Sequence, residues 1–471
     1  MKTIVMKFGG TSVGTAEAIG QAANLVQQES ERWGHVVVVV SAMRGVTDAL
    51  IDGALTAAQA DEDTYRETVS DLRVRHTLAV AGLISNPDNR TSLLKTIDAY
   101  LDEYAAFCHS VHVLGEVTSR AMDTISSMGE RLSARVVAAR LREQGQAAQA
   151  VDATELIVTD NCFQNAVPQM QATAEQVQRN LVPLLEEGII PVVTGFMGAT
   201  VDGITTTLGR GGSDYSASIL GAALNADEVW TWTDVDGVLT ADPRIVPDAH
   251  VIPELSYSEV GELAYFGAKV LHPKTIRPVV ESGIPLYVKN TFNPTCPGTR
   301  IVAEPKSTPG TIKAVTAIPG LSMVTVEGRG MMGVPGIAAR TFSAVASQGA
   351  SVLMISQASS EQSICFVIPS GDVPSVIAAL EEGLALELSR RDIERVRSVD
   401  DVVIISAVGA GVRGTPGVAA RLFTALSAQE INIIAIAQGS SECSISLVVN
   451  SAQARQAVRQ IHSEVINHVA A

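Results

Sequence analysis

With 471 residues, the chain is long enough for two or three domains with separate apolar cores. Its composition, 46% apolar, 18% charged and 4% aromatic, excludes a disordered, collagen-like or coiled-coil protein. The formal charge of −16, without a basic stripe, argues against nucleic acid as a partner, and no apolar run approaches the ~20 residues that span a bilayer. The low charged share leaves apolar surface to cover, which favours an oligomer. Only eight of the 34 basic residues are lysine, so a lysine at a glycine-rich turn stands out. The five cysteines are scattered, without CxxC or Cys/His spacing, which points to a reducing cytoplasm and no structural metal. Met1 leads directly into a strand pattern, so a cytoplasmic location without a leader is expected.

In chain order, the spacing predicts a strand at Ile4–Phe8, a helix at Ala16–Arg32 and a strand at Val36–Val40. Residues 48–127 read as a mainly helical elaboration, broken at Ser85–Arg90, suited to a lid or a dimer surface. A helix at Gly129–Glu143 and strands at Ile189–Thr194 and Glu228–Thr233 follow. This alternation implies an α/β domain, a mostly parallel sheet covered by helices on both faces, with ligands at the carboxyl ends of the strands. Asn293–Thr311, rich in Pro, Gly and Thr, reads as a linker.

Beyond it the chain repeats itself. Gly328–Ile368 aligns with Gly409–Val449 at a constant offset of 81, with close to half the positions identical and no gap. Gly336 and Gln357 in the first copy answer Gly417 and Gln438 in the second. Each copy reads strand, Gly/Pro turn, amphipathic helix, strand, tight turn, strand, the start of a small ferredoxin-like fold.

Four stretches carry candidate chemistry. Lys7-Phe8-Gly9-Gly10-Thr11-Ser12 follows the first strand, where glycines let backbone N–H groups approach an anion and the next helix adds its positive end. It matches neither GxGxxG nor the P-loop, and a plain strand-to-helix turn is the alternative. Thr205-Thr206-Thr207-Leu208-Gly209-Arg210-Gly211-Gly212-Ser213-Asp214 combines small residues with charges of both signs before an apolar helix, Ala217–Leu224. A flexible surface loop would not need those charges. The third is Trp232-Thr233-Asp234 running to Arg244, and the fourth is Phe266-Gly267-Ala268-Lys269, with another of the scarce lysines.

Taken together, the strings KFGGTSVG, SAMRGVTD, GERLSARV, TTLGRGGSDYSA, WTDVDGVLTADPR and FGAKVLHP resemble the aspartokinases of the amino-acid kinase superfamily, and the duplicated units resemble the paired ACT domains of that family. The resemblance spans essentially the whole chain and implies an amino-acid kinase fold over 1–300, then ACT domains at 313–395 and 398–471. It implies transfer of the γ-phosphoryl of ATP to the side-chain carboxylate of L-aspartate, the first step toward lysine, threonine and methionine. The nucleophile is already ionised, so the demand is for placed cations that overcome the repulsion between two anions.

By this resemblance Lys7, Asp214 and Lys269 are catalytic. Gly9, Gly10, Thr233, Asp234 and Arg244, with the two lysines, bind ATP. Leu239 departs from a position where relatives can carry Tyr. Ser41, Thr47, Glu130, Phe196, Arg210 and Ser213 bind the amino acid, Glu130 meeting its ammonium and Arg210 its α-carboxylate. Alone, Glu130 would read as a solvated glutamate at a helix start. Without a metal-cage spacing, Mg²⁺ is expected to be held by the ATP phosphates and water. Gly336, Ile337, Gln357, Ser360, Glu361 and Gln438 are the implied effector-binding residues. The glutamines favour threonine over lysine as feedback inhibitor, and the ACT units imply a homodimer or homotetramer. The rivals are a kinase for glutamate or another carboxylate, and a non-catalytic amino-acid sensor; intact Lys7, Asp214 and Lys269 argue against the sensor.

Overall fold

All six residues of the Thr3–Phe8 strand are buried, as befits an apolar strand covered on both faces. In the computed structural model, which describes residues 1–268, 271–305, 311–357, 361–410, 412, 415–439 and 443–466, this strand lies inside an eight-stranded sheet. The order is Ala148–Val151, Ile190–Thr194, His35–Val40, Thr3–Phe8, Glu228–Thr233, Leu286–Asn290, Thr299–Val302, Glu254–Ser256. Neighbours run parallel except Leu286–Asn290 and Thr299–Val302. Because pairing is parallel and in step, Phe8 stands beside Val40 and Trp232, and Val40 beside Thr194. The loops that begin at Gly9, Ser41, Gly195 and Thr233 therefore open at one edge.

Thr299–Val302 corrects part of the expectation of a linker over Asn293–Thr311, while the boundary between two compact units at Pro305 and Lys306 falls within that stretch. The Pro/Gly/Thr composition around it obscured a four-residue strand, which turns at Gly298, in the left-handed region at φ 80°, to pair antiparallel with Leu286–Val288. The helical elaboration comprises Val46–Ala58, Glu62–Leu83 and Pro87–Leu114. Its break is a helix start: the Asn86 side chain accepts from the N–H groups of Asp88 and Asn89, with Pro87 in the first turn. The helices are tied into the core of the parallel sheet through Leu50, Leu101 and Tyr104, all at most 1% exposed.

The chain divides into two compact units. The parallel sheet lies in Met1–Val238, Val251–Tyr257 and Val270–Pro305; Leu239–His250, Ser258–Lys269 and Lys306–Ala471 form the second. The second unit holds a six-stranded antiparallel sheet in the order Met354–Gln357, Ser363–Pro369, Ala314–Glu327, Arg395–Val408, Ser444–Asn450, Ala435–Ala437. The repeat is visible in the backbone: Gly336 and Gly417, both at φ 88°, precede the helices Ile337–Ser347 and Val418–Ser427. Both helices are amphipathic, burying Ile337 and Val345 in one copy and Val418 and Leu422 in the other.

The long Ala314–Glu327 strand serves both copies. Its irregular pairing between Ile318 and Met323 divides it, so that Val324 and Val326 pack in the first copy's core while Val315, with Ile312, packs in the second's. Ala241 and Val246 join that second core, where Thr240 Oγ1 and His462 Nε2 lie 2.8 Å apart. Among the described residues no helix is long and apolar enough to cross a membrane.

Candidate active site

A cavity of about 640 Å³ opens at the carboxyl edge of the parallel sheet. Ser41, Thr47, Glu130, Phe196, Arg210 and Ser213, the six residues expected to bind the amino acid, all line it. Gly10, Arg44, Asp48, Met122, Asp123, Gln164 and Thr207 lie on its wall as well.

Glu130 sits in the first turn of the Met128–Glu143 helix and is 4% exposed. One carboxylate oxygen accepts from the Ala42 N–H at 3.1 Å; the other, Oε2, is buried without a hydrogen-bond partner among the described residues. Burial pushes this carboxyl up to about 8, against the opposing pull of the Ala42 N–H. A buried carboxyl with an unserved oxygen at a cavity is built to meet a cation or a donor from a ligand. Arg210, on the glycine loop, is exposed, and no ion pair engages it among the described residues. It is free to grip a carboxylate bidentately.

Ser41 Oγ and Ser213 Oγ lie 2.8 Å apart, one from the loop after the His35–Val40 strand and one from the start of the Gly212–Leu224 helix. Their approach depends on Gly195, where a Cβ would come within 2.6 Å of Ser213 Cβ and 3.0 Å of the Val40 carbonyl oxygen. Phe196 takes φ 70°, an unfavourable conformation for a bulky residue, and turns from strand to wall at that point.

Lys7, 6% exposed, directs its ammonium to Asp214 Oδ1 at 2.7 Å. Asp214 occupies the first turn of the Gly212–Leu224 helix, which begins from Gly211 in the left-handed region at φ 71°. A lysine, a carboxylate and the positive end of a helix thus meet beside the glycine turn. The Gly9 N–H, expected to face phosphate, instead donates to the Trp232 carbonyl at 3.1 Å, because the first and Glu228–Thr233 strands are bridged there. Ser12 reinforces that bridge, its hydroxyl donating to the Trp232 carbonyl at 3.3 Å and lying 2.7 Å from Thr291 Oγ1. Gly10 lies over the Ser41–Gly45 loop: its carbonyl accepts from the Arg44 N–H, and a Cβ on it would come within 3.1 Å of the Ala42 carbonyl oxygen.

Thr233 ends its strand at the same edge, and its carbonyl accepts from the Thr291 N–H at 2.9 Å. Asp236 further on accepts from the side-chain amides of Asn290 and Asn293, which fixes the loop through Asp234. Arg244 belongs to the second unit, where its guanidinium pairs with Asp242 at 2.7 Å. Lys269 and Ser360 lie outside the described residues.

In the second unit, Gln357 and Gln438 are both exposed, one ending an edge strand and the other following the opposite edge strand. Glu361, at φ 55°, accepts from the Gly333 N–H with its carboxylate at 3.1 Å, beside the turn that leads through Gly336 to buried Ile337. Asp123 escaped the reading of the sequence. It is buried on a short helix outside any glycine motif, and its only signal was an acid among the inward residues Met122, Ile125 and Ser126.

Residues 2–290 match the model of the amino acid kinase family, and residues 324–384 and 405–465 each match that of the ACT domain. The chain is 38% identical to the chloroplastic bifunctional aspartokinase/homoserine dehydrogenase 1 of Zea mays over 465 residues, 98% of this chain and 50% of that protein. It thus spans about half the length of the bifunctional relatives from plants that it matches. Chloroplastic aspartokinase 2 of Arabidopsis thaliana is 34% identical over 98% of this chain and 84% of its own length. Among solved structures, Escherichia coli aspartokinase III in complex with aspartate and ADP superposes with a TM-score of 0.78 at 30% identity, covering 98% of this chain and all of that one. The same enzyme in complex with lysine and aspartate gives 0.79, covering 99% of this chain. The chain belongs to the aspartokinases of the amino acid kinase family, with a kinase domain followed by two ACT domains.

Proposed function

We propose that the protein transfers the γ-phosphoryl group of ATP to the side-chain carboxylate of L-aspartate, forming 4-phospho-L-aspartate. The observation that carries this reading is the pairing, in one cavity, of a buried carboxyl, Glu130, and a guanidinium, Arg210, that have an oxygen unserved and no ion pair, respectively, among the described residues. An ammonium answers the first and a carboxylate the second, which defines an amino acid; Ser41, Thr47 and Ser213 add hydroxyls for a second carboxylate. The substrate carboxylate needs no base. Its attack is opposed by charge, and Lys7, held in place by Asp214, offsets that repulsion at the transferring group. Thr233, Asp234 and the Gly10 turn take the nucleotide, with Lys269 and Arg244 assigned to its phosphates by the family resemblance alone. Mg²⁺ belongs to this reading as the partner of the ATP phosphates, neutralising charge there. Among the described residues no group of three His, Cys, Asp or Glu side chains is placed to hold an ion.

The ACT units are read as an effector site built on Gly336, Ile337, Gln357, Ser360, Glu361 and Gln438, with threonine the favoured inhibitor, lysine the second, and a homodimer or homotetramer formed through these units. The unpaired thiols support a reducing compartment such as the cytoplasm. The complexes of Escherichia coli aspartokinase III with aspartate and ADP, and with lysine and aspartate, support aspartate and an adenine nucleotide as ligands and an amino acid as effector. The test is incubation with MgATP and hydroxylamine, supplying aspartate or glutamate. Hydroxamate from aspartate alone supports the proposal; from glutamate alone it moves the chain to another carboxylate kinase, and from neither it favours a sensor.

A further inference from the structure

Asp123 is fully buried on the Ser119–Ser126 helix, and among the described residues no cation pairs with it. Both of its oxygens are used. The Gln164 N–H lies 3.0 Å from each, the Thr207 N–H donates to Oδ2 at 2.9 Å, and the Thr207 hydroxyl donates to Oδ1 at 2.8 Å. Burial raises this carboxyl and the three donors lower it. A carboxylate accepts at every position, whereas an amide in its place would set an NH₂ against an N–H donor. The geometry demands an acid.

The donors are not arbitrary. Thr207 is two residues before Gly209 and three before Arg210, and Gln164, at φ 67°, lies against Gly209, where a Cβ would come within 3.0 Å of the Gln164 carbonyl oxygen. The next residue, Leu208, donates its N–H to the Phe196 carbonyl at 2.9 Å. Asp123 thus pins both the strand end that leads into the glycine loop and the neighbouring segment that lies against Gly209. Asp123, Gln164, Thr207, Gly209 and Arg210 all face the cavity.

We infer that Asp123 is a positioning residue for the amino-acid half of the site: through Thr207 and Gln164 it sets the register of Gly209 and Arg210, and so the reach of the Arg210 guanidinium. The inference rests on the aspartate-kinase reading for its kinetic consequence and on the loop geometry alone for its structural one. Asp123→Asn should raise the KM for aspartate by about tenfold or more and leave the KM for ATP within about twofold. Thr207→Val, which removes only the hydroxyl donor, should move the aspartate KM the same way by less, and Thr207→Ser should restore it. A merely structural role would move both KM values together.

The second readout needs no activity. Trypsin cleavage after Arg210 in the full-length protein should be several-fold faster in Asp123→Asn and Thr207→Val than in wild type, and unchanged in Thr207→Ser. If Asp123→Asn does not fold, the two Thr207 variants decide. Parallel shifts of both KM values, or unchanged cleavage after Arg210, overturn the inference. An inactive wild type with the expected cleavage pattern overturns the functional reading and leaves the positioning role standing.

Discussion

Lys7 and Asp214 are joined across 2.7 Å by residues 207 positions apart in the sequence, one at the end of the first strand and the other in the first turn of a helix. The pair fixes a cation where the glycine turn and the helix end converge. Lys7→Ala is expected to lower kcat by about 10²-fold or more while circular dichroism and the melting profile stay near wild type, because preorganised charge at a transferring group is worth that much. Retained hydroxamate production would remove Lys7 from the chemistry. Asp214→Asn should lower kcat as well, by leaving the ammonium free to turn away.

Glu130 has a pH signature. Its carboxyl stands at about 8 in the free protein against an ordinary 4.5, so at neutral pH the folded chain holds a proton that the unfolded chain has lost. The unfolded state therefore binds fewer protons between those values, and this group's contribution to stability falls as pH rises from about 4.5 to about 8, then levels. Binding an ammonium draws Glu130 to its ionised form, so aspartate binding at pH 7 should release about one proton. Calorimetry in buffers of different ionisation enthalpy reads it directly, and Glu130→Gln should abolish the release.

Gly195→Ala tests the close approach of strand end and loop. A methyl there meets Ser213 within 2.6 Å and the Val40 carbonyl within 3.0 Å, so something must shift. The expected cost is about 1–3 kcal/mol of stability, with a rise in the aspartate KM from displaced Ser213. Chemical denaturation and steady-state kinetics measure the two.

His462 is buried against Thr240, and burial lowers its affinity for a proton below the usual 6.5. Below pH 6.5 the unfolded chain takes up a proton that the folded chain refuses, so this residue's contribution to stability is lost as pH falls from there through its depressed value. His462→Gln should flatten the acid side of the stability profile, measured by denaturant midpoints between about pH 5 and 7.

Gln357→Ala and Gln438→Ala should each raise the threonine concentration needed for half-maximal inhibition and for thermal stabilisation, with uninhibited kcat unchanged. Stabilisation by lysine in place of threonine would reassign the effector.

What was legible in the sequence follows the range of the interactions. The strands, the glycine turns and the 81-residue repeat are local patterns, and they appear where the spacing put them. Glu130 meets Ala42 from 88 residues away, and nothing in its own helix marks it as more than a surface glutamate; only the company of other strings identified it. Asp123 lacked even that, since its partners Gln164 and Thr207 lie 41 and 84 residues on. Val315 reaches the core of the second repeat because an irregularity divides its strand, and no periodicity records such a break. The Gly9 N–H turned to Trp232 for the same kind of reason, a pairing between strands more than 200 residues apart.

The central claim, that the unserved oxygen of Glu130 receives the substrate's ammonium, is tested most directly by comparing aspartate with succinate, which lacks that group, in wild type and Glu130→Gln. Wild type is predicted to prefer aspartate strongly in kcat/KM, and the substitution to erase most of that preference by weakening aspartate alone. An unchanged preference in the variant would contradict it.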